Sequence, residues 1–248
     1  MFKHLKTLLV FLLISTISFG QEKEPTTPEA TEFYEPVPPR VVPGKDGAPP
    51  SDAIVLFNGK NFDHCVDSTA VKWHLNEDGS TTVKDKTGDI QTKKNFGSIQ
   101  LHLEWKSPAE VQREGQNRAN SGVFIQQRYE VQVLDNNDNP TYTYGQVGSI
   151  YKQGVTLAMA SVPTGQWNTY DIVFHAPEFS RGGNIVEPAT VTVLHNGVLV
   201  QDHFVIEGTI KYIGWPKYEA HGKAPLVLQD HKDNSRVSYR NIWVRELD

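Results

Sequence analysis

Acids, amides and histidines recur at every second position in three stretches of this sequence. The three pairs are His102 with Glu104, Glu130 with Gln132, and Gln229 with His231. Successive side chains of a β-strand point to opposite faces, so both members of each pair share one face of a strand. A carboxyl group beside an imidazole or an amide can move protons on a bound ligand. The alternative for each pair is the solvated face of an ordinary half-buried strand.

Short strands separated by turn residues account for most of the remaining sequence. Leu101, Leu103 and Trp105 alternate with polar residues along the clearest strand, and Asn196-Gly197 separates two apolar runs as a two-residue hairpin turn. No segment has helical periodicity over more than a turn or two. The pattern predicts an all-β fold, a β-sandwich or jelly roll of antiparallel sheets.

In a curved sandwich one sheet has a concave outer face, where polar side chains from several strands can meet without disturbing the core. We therefore expect a pocket in which Glu104, Glu130 and His231 converge. At least one titratable group there should have a shifted pKa, because catalytic sites adjust the pKa of their acids and bases. Arg240, on a nearby closing strand, could hold an oxygen-rich ligand through two parallel hydrogen bonds.

The first 50 residues differ in composition from the rest. A basic start and an apolar run that ends at Ser18-Phe19-Gly20 predict a secretory signal peptide over 1–20 and an exported protein, periplasmic or extracellular. Residues 21–50 are rich in Pro, Glu and Thr, which predicts a linker. Residues 51–248 should then form one domain with no membrane span. The single cysteine cannot form an internal disulfide, so the core must hold the fold.

The composition disfavours several classes of partner and chemistry. The formal net charge is −5 and Lys and Arg form no run, so we expect neither nucleic acid nor anionic membrane as a partner. The sequence has no local spacing typical of a metal site and no nucleophile elbow. A metal site could be assembled only in three dimensions. Aromatic residues of the long loops, among them Tyr144, could stack on the C–H faces of a sugar.

Six motifs occur in a specific order along the chain. They are 120–124 (NSGVF), 129–135 (YEVQVLD), 165–171 (GQWNTYD), 195–200 (HNGVLV), 228–231 (LQDH) and 239–245 (YRNIWVR). Each motif alone is weak, but the ordered set resembles the 3-keto-disaccharide hydrolase domain family over about residues 53–247. The resemblance implies a concanavalin A-like jelly roll of two antiparallel sheets and a small-molecule carbohydrate substrate.

The resemblance also implies cleavage of glycosides already oxidised to a ketone at sugar C3. The ketone acidifies the C2 proton, so a base can remove it, the C1 substituent can leave by elimination, and water can add to the enone. Such a route needs a base, an acid for the leaving group and an electrophile for the enolate. A divalent metal ion is one possible electrophile.

The matching positions suggest roles for particular residues. Glu130, His231 and Glu104 are the catalytic candidates, with either Glu130 or His231 as the base and the other as an acid or ligand. The candidates for substrate binding are Asn120, Gln132, Tyr144, Gln146, Gln229 and Arg240.

One departure and two alternatives limit this interpretation. Laminarinase-type glycosidases carry Glu-x-Asp-x-x-Glu on one strand, whereas residues 130–135 read EVQVLD, so ordinary retaining hydrolysis is disfavoured. A non-catalytic carbohydrate-binding module would share the fold and present a shallow aromatic platform. A structural or adhesion sandwich would point its polar faces separately into solvent.

Overall fold

The computed structural model describes residues 24–66, 71–111 and 113–248. The predicted signal peptide lies outside these ranges. Contacts divide the chain into two units, Met1–Arg40 and Val41–Asp248. Every described residue of the first unit is exposed, and its described regular structure is a short 3-10 helix, Pro28–Thr31. No helix within the described ranges is long and apolar enough to cross a membrane.

Regular structure in the described part of the second unit consists of β-strands and two further 3-10 helices, Gly115–Asn117 and Thr143–Gly145. The strands are β1 (Ile54–Phe57), β2 (His74–Leu75), β3 (Thr81–Thr82), β4 (Ile90–Phe96), β5 (Ile99–Lys106), β6 (Ser121–Ile125), β7 (Tyr129–Val133), β8 (Asn168–His175), β9 (Glu178–Phe179), β10 (Ile185–Glu187), β11 (Thr190–His195), β12 (Val198–Val205), β13 (Ala224–Leu228) and β14 (Ser238–Glu246). The described residues contain no α-helix, so the all-β prediction is confirmed.

Two antiparallel sheets pack against each other. The eight-stranded sheet has the order β12-β11-β8-β5-β14-β3-β2, and β1 also pairs with β14. The four-stranded sheet has the order β4-β13-β6-β7, while β9 and β10 form a separate hairpin. Apolar side chains from both large sheets form one buried core, as expected for a jelly-roll sandwich.

Alternation along the strands decides which side chains enter this core. In β5, Leu101, Leu103 and Trp105 are buried between the sheets, as the sequence pattern predicts. The predicted hairpin joins β11 to β12. Its turn residues Asn196 and Gly197 have φ values of 52° and 77°, the left-handed geometry that a two-residue hairpin turn requires.

Two tyrosines form hydrogen bonds from one sheet to the other. Tyr170 of β8 donates its hydroxyl proton to the backbone oxygen of Gln132 in β7 at 2.7 Å. Tyr239 of β14 donates to Ser121 Oγ in β6, also at 2.7 Å. Buried hydroxyl groups with fixed partners specify one arrangement of the elements that they join. They hold the inner side of β6 and β7, whose outer side is then free to line a site.

The long segment over residues 136–165 covers the free edge of β7. Gln132 N donates to Ser149 O at 3.0 Å, and Tyr151 N donates to Glu130 O at 3.1 Å. An edge strand otherwise leaves a row of N–H and C=O groups without partners. The pairing brings the side chains around Tyr151 to the outer face of the four-stranded sheet.

His195 is a buried histidine of the core. Its Nε2 lies 2.9 Å from Asn168 Oδ1, and its ring meets the Tyr170 ring edge-on at 4.9 Å. Burial lowers the pKa of the imidazole from 6.5 to about 4, because a charged ring would lose its hydration. The folded pKa is lower than the unfolded one, so the stability that depends on neutral His195 is complete above pH 6.5 and decreases as the pH falls towards 4.

Because of His195, we expect the free energy of unfolding to decrease by about 2 kcal/mol when the pH is lowered from 7 to 5. Urea unfolding of the wild type and of His195→Gln at both pH values measures the effect, and the variant should lose this part of the pH dependence. His175→Gln, at an exposed position of β8, is the control. An equal pH dependence in the wild type and His195→Gln would contradict the assignment.

Candidate active site

A pocket of about 530 Å³ opens on the outer face of the four-stranded sheet. Five of the predicted site residues line it: Asn120, Glu130, Gln132, Gln229 and His231. Glu130 and Gln132 come from β7, and Asn120 is the residue before β6. Gln229 and His231 follow β13, which ends at Leu228, so they do not lie on a strand as the alternation predicted. The volume is in the range of small-molecule sites. We call this cavity the Glu130 pocket.

Glu130 buries its carboxyl group in this pocket, and the residue is only 4 % exposed. Burial raises the pKa of the carboxyl group from 4.5 to about 8, because the charged form would lose its hydration. The group is therefore protonated at neutral pH. A carboxylic acid that keeps its proton at neutral pH can act as a general acid.

Gly122 makes room for this carboxyl group. The register of β6 and β7 places Gly122 opposite Gln132 and Phe124 opposite Glu130, so Gly122 and Glu130 are diagonal neighbours on the outer face. A Cβ atom at position 122 would lie 2.4 Å from Glu130 Oε1, 2.7 Å from Phe124 Cε2 and 3.0 Å from Glu130 Cδ. Any side chain at position 122 would displace the carboxyl group.

The Gln132 amide lies beside Glu130 and can serve both of its protonation states. In one orientation Gln132 Nε2 donates to Gln116 Oε1 at 3.0 Å, and Gln132 Oε1 lies beside Glu130, where it can accept a hydrogen bond from the protonated carboxyl group. After a 180° rotation of the amide, Gln132 Nε2 lies 3.1 Å from Glu130 Oε1 and 3.1 Å from the carbonyl oxygen of Ser121. In that orientation the amide donates to the carboxylate.

His231 lines the same pocket and has a carboxylate behind its ring. Its Nδ1 lies 2.9 Å from Asp233 Oδ2, and the imidazole is 32 % exposed. A carboxylate that accepts the Nδ1 proton leaves the lone pair on Nε2, so the ring can act as a base. The adjacent Asp230 has a structural role, because its Oδ2 accepts the backbone N–H groups of Thr87 and Gly88 at 2.9 and 3.0 Å.

Side chains of the segment that covers β7 contribute to the wall of the pocket. Tyr142 donates its hydroxyl proton to the Tyr151 hydroxyl oxygen at 2.9 Å. Lys152 places Nζ over the Tyr212 ring, 4.3 Å from its centre. Among the described residues that line the pocket, Lys152 is the one with a permanent positive charge.

The residues of this site that the sequence analysis did not identify include Gln116, Tyr151, Lys152 and Asp233. Asp233 carries a usable signal, because it follows His231 by two residues in the sequence. Gln116 and Lys152 lie in segments whose course depends on how the folded chain covers β7. Their approach to the pocket has no signature in a single sequence.

Glu104 and Arg240 lie outside the Glu130 pocket, contrary to the predicted convergence. They occupy neighbouring strands β5 and β14 of the eight-stranded sheet, on its outer face. The outer faces of two packed sheets point in opposite directions, so side chains there cannot meet. Arg240 Nε donates to Glu104 Oε2 at 2.6 Å, and the guanidinium lies 4.1 Å from the centre of the Trp167 ring.

Tyr144 and Gln146 also lie outside the Glu130 pocket. Tyr144 is partly exposed and lines a neighbouring pocket of about 480 Å³. Gln146 is buried beyond the 3-10 helix Thr143–Gly145, and its Oε1 has no hydrogen-bond partner among the described residues. The roles suggested for these two residues, like those of the others, stay predictions.

The donors in the pocket do not match a metal site built from three protein ligands. Glu130 is its one carboxyl group and His231 its one imidazole among the described lining residues. In residues 24–66, 71–111 and 113–248, no three His, Cys, Asp or Glu side chains gather in an arrangement that could hold a metal ion. The residues present therefore do not fit the divalent metal that the resemblance suggests.

Comparison with known proteins confirms the family resemblance. A family model described as 3-keto-alpha-glucoside-1,2-lyase-like domain matches residues 52–245. A crystal structure of a candidate glycosyl hydrolase from Parabacteroides distasonis ATCC 8503 is 50 % identical with a TM-score of 0.85, over 89 % of this chain and 97 % of that one. A second from the same organism, at 22 % identity and a TM-score of 0.58 over 79 % of this chain and 94 % of that one, shows the fold alone. No curated protein matches the sequence.

Replacing Gly122 with alanine should displace the Glu130 carboxyl group without unfolding the protein. The new Cβ atom would overlap with Glu130 Oε1, so the carboxyl group must turn towards water, and its pKa should fall from about 8 towards 4.5. Alanine weakens a strand less than glycine does, and the atoms that must move belong to the Glu130 and Phe124 side chains rather than to the backbone, so the melting temperature should change little. An NMR pH titration of the Glu130 carboxyl carbon measures the pKa directly.

Gly222→Ala is the matched control, because no atom lies within 4 Å of the Cβ that it would add. That variant should leave the titration of Glu130 unchanged. If Gly122→Ala also leaves the pKa near 8, the close packing of Gly122 against Glu130 is not what keeps the carboxyl group buried.

Proposed function

We propose that this chain, which belongs to the 3-keto-alpha-glucoside-1,2-lyase-like domain family, is an exported enzyme that cleaves glycosides carrying a ketone at sugar C3. The likeness to a candidate glycosyl hydrolase at 50 % identity supports an enzyme that acts on carbohydrates. The observation that carries the proposal is that one pocket holds both a neutral buried carboxyl group, Glu130, and an imidazole oriented by a carboxylate, His231. Export is proposed from the basic and apolar start of the sequence.

The single carboxyl group of the pocket favours elimination over ordinary glycoside hydrolysis. Hydrolysis of an unoxidised glycoside generally uses two carboxyl groups on opposite sides of the scissile bond. Glu130 is the one acid among the described lining residues, and Glu104 lies on the outer face of the other sheet. A C3 ketone changes what is needed, because it acidifies the neighbouring C2 proton and lets one base and one acid cleave the bond.

His231 is the proposed base. Its Nε2 lone pair takes the C2 proton, and the electrons of the C–H bond move into the enolate of the C3 ketone. The imidazolium that forms is stabilised by Asp233, whose Oδ2 lies 2.9 Å from Nδ1. General base catalysis of this kind contributes about 10²- to 10⁴-fold in rate.

Glu130 is the proposed acid. As the enolate electrons form the C1–C2 double bond, the C1–O bond breaks and the leaving oxygen takes the proton of Glu130. The products are a sugar enone and a free alcohol. The carboxylate left on Glu130 can accept a hydrogen bond from Gln132 after rotation of the amide.

The remaining polar groups of the pocket are suited to hold the sugar and its enolate. Lys152 supplies a positive charge, and Asn120 and Gln229 supply amide groups. Donors fixed before the reaction stabilise developing negative charge more effectively than water, because they need no reorganisation. Gln132 stays beside Glu130 throughout.

Hydration of the enone uses the same groups in reverse. The Glu130 carboxylate takes a proton from water, whose oxygen attacks C1. The protonated His231 then returns its proton to C2. Elimination and hydration together hydrolyse the glycosidic bond, and both catalytic residues regain their initial protonation states. Release of the enone before hydration would make the protein a lyase.

The leaving group should distinguish the two roles. A nitrophenolate leaves without an acid, whereas an alkoxide needs one. Glu130→Gln should therefore reduce kcat/KM about 10²-fold or more for the methyl 3-keto-glucoside, and less than about tenfold for the nitrophenyl 3-keto-glucoside. His231→Ala should lose activity on both substrates. Spectroscopic detection of nitrophenol and of the enone measures the two reactions.

His175→Ala serves as the control, because His175 is an exposed histidine outside the pocket. Equal losses on both substrates in Glu130→Gln would contradict its role as an acid. Equal cleavage of the unoxidised glucosides by the wild type would contradict the keto mechanism. Binding of sugars without any cleavage would instead support a carbohydrate-binding module.

The rate of elimination should depend on pH through Glu130. The raised pKa means that the acid form is present below about pH 8 and is lost above it. For the methyl 3-keto-glucoside, kcat/KM should therefore fall as the pH rises through about 8, and this decrease should vanish with the nitrophenyl substrate. A pH profile of both substrates checks this, and an identical alkaline decrease for both would assign it to another group.

A further inference from the structure

A second pocket, of about 480 Å³, adjoins the Glu130 pocket. Tyr142, Tyr151, Lys152 and Tyr212 line both cavities, so the two share a wall. We call the second cavity the aromatic annex. The two cavities are therefore adjacent.

Trp215 lines the annex and is 90 % exposed. The chain has five tryptophans, and the other four are buried or partly covered. Tyr212, beside it in the same loop, is 75 % exposed. Single exposed apolar residues are common, but neighbouring large aromatic side chains beside a cavity are typical of a binding surface.

The loop that carries these aromatic residues is fixed at its base. Thr209 N donates to Lys217 O at 3.0 Å, and Ile210 N donates to Arg128 O at 3.0 Å. Gly208 has a φ of 138° and lies so close to Lys217 that a Cβ atom there would be 2.2 Å from its carbonyl carbon. The base of the loop is thus tightly packed, and residues 211–216 project from it with their aromatic rings in water.

We propose that the aromatic annex is a second sugar subsite, which holds the leaving sugar of a 3-keto-disaccharide by stacking it on Trp215 and Tyr212. This inference rests on the proposed function, because the position of the reacting ring follows from Glu130 and His231. The oxidised ring must lie in the Glu130 pocket, where the acid and the base are. The sugar attached through its C1 oxygen then extends into the adjoining annex.

The chemistry of the annex suits a sugar ring. A pyranose presents a face of C–H groups that packs on an aromatic ring, while its hydroxyl groups point sideways to polar partners. Trp215 and Tyr212 offer such faces, and Glu207 and Lys211 line the same cavity with charged groups that can bond hydroxyl groups. Lys152 lines both cavities. It is held in place by two hydrogen bonds, from its Nζ to Tyr212 O and from its backbone N to Tyr144 O at 2.9 Å.

The inference can be tested by comparing two substrates that share the oxidised ring. We expect the wild type to have a kcat/KM at least about tenfold higher for a 3-keto-disaccharide than for the methyl 3-keto-glucoside of the same anomeric configuration. Trp215→Ala should remove most of that preference by lowering kcat/KM for the 3-keto-disaccharide. The kcat/KM for the methyl substrate should stay within about twofold of the wild-type value.

Ile213→Ala is a matched control in the same loop. Ile213 is 84 % exposed, close to the 90 % of Trp215, but it does not line the annex. It should leave both substrates unaffected. If Ile213→Ala and Trp215→Ala reduce disaccharide cleavage equally, the loop acts through its conformation and the stacking role is overturned. The same holds if Trp215→Ala leaves the substrate preference intact.

A binding measurement separates failure of the annex from failure of the proposed reaction. Trp215 is the most exposed tryptophan, so a disaccharide that stacks on it should change the fluorescence of the wild type, while methyl glucoside should not. If no keto-substrate is cleaved, a disaccharide signal that disappears in Trp215→Ala still supports the sugar subsite. Absence of that signal overturns it, whether or not the Glu130 pocket is active.

Discussion

The register between β6 and β7 is the constraint on which the site depends. It places Gly122 diagonally to Glu130, so the carboxyl group can lie against the sheet instead of extending into water. A shift by one residue would turn Glu130 into the core and Val131 towards the pocket. The inner faces prevent such a shift, because Tyr129, Val131 and Val133 are buried between the sheets.

Glu104 and Glu130 occur in the same sequence pattern but have different chemical roles. Each is an acid at an alternating position of a strand with an apolar inner face. Glu104 is partly exposed and accepts hydrogen bonds from Arg240 and Asn241 at 2.6 and 2.9 Å, which use both of its oxygens. Glu130 is desolvated against Gly122, and its pKa rises to about 8. The environment, rather than the residue type, separates a surface ion pair from a proton donor.

The sequence alone was sufficient to predict most of the strands, the hairpin turn and five of the residues that line the Glu130 pocket, but not the strands β4, β9 and β10. Alternation identifies outward residues because the side-chain period of a strand is two, and that rule holds for every sheet. It does not say which sheet a strand joins, so it placed Glu104 beside Glu130 although their strands face opposite ways. Gln116 and Lys152 were missed for a related reason, since they reach the pocket through long-range pairing of loops with β7.

Burial of Glu130 has an energetic consequence for the whole sandwich. Its folded pKa exceeds the unfolded one, so no penalty exists below pH 4.5, and the penalty grows with pH to about 3 kcal/mol at pH 7. The two strands that carry the site must therefore be held by other interactions. The hydroxyl groups of Tyr170 and Tyr239 do this from the opposite sheet, through Gln132 O and Ser121 Oγ. Glu130 thus lies on a strand held by these bonds, and His231 follows β13, which pairs with β6. Trp215, in contrast, projects from a loop. Changes in that loop can alter which sugar is bound without disturbing the buried acid, because the tyrosine bonds that hold β6 and β7 lie between the sheets.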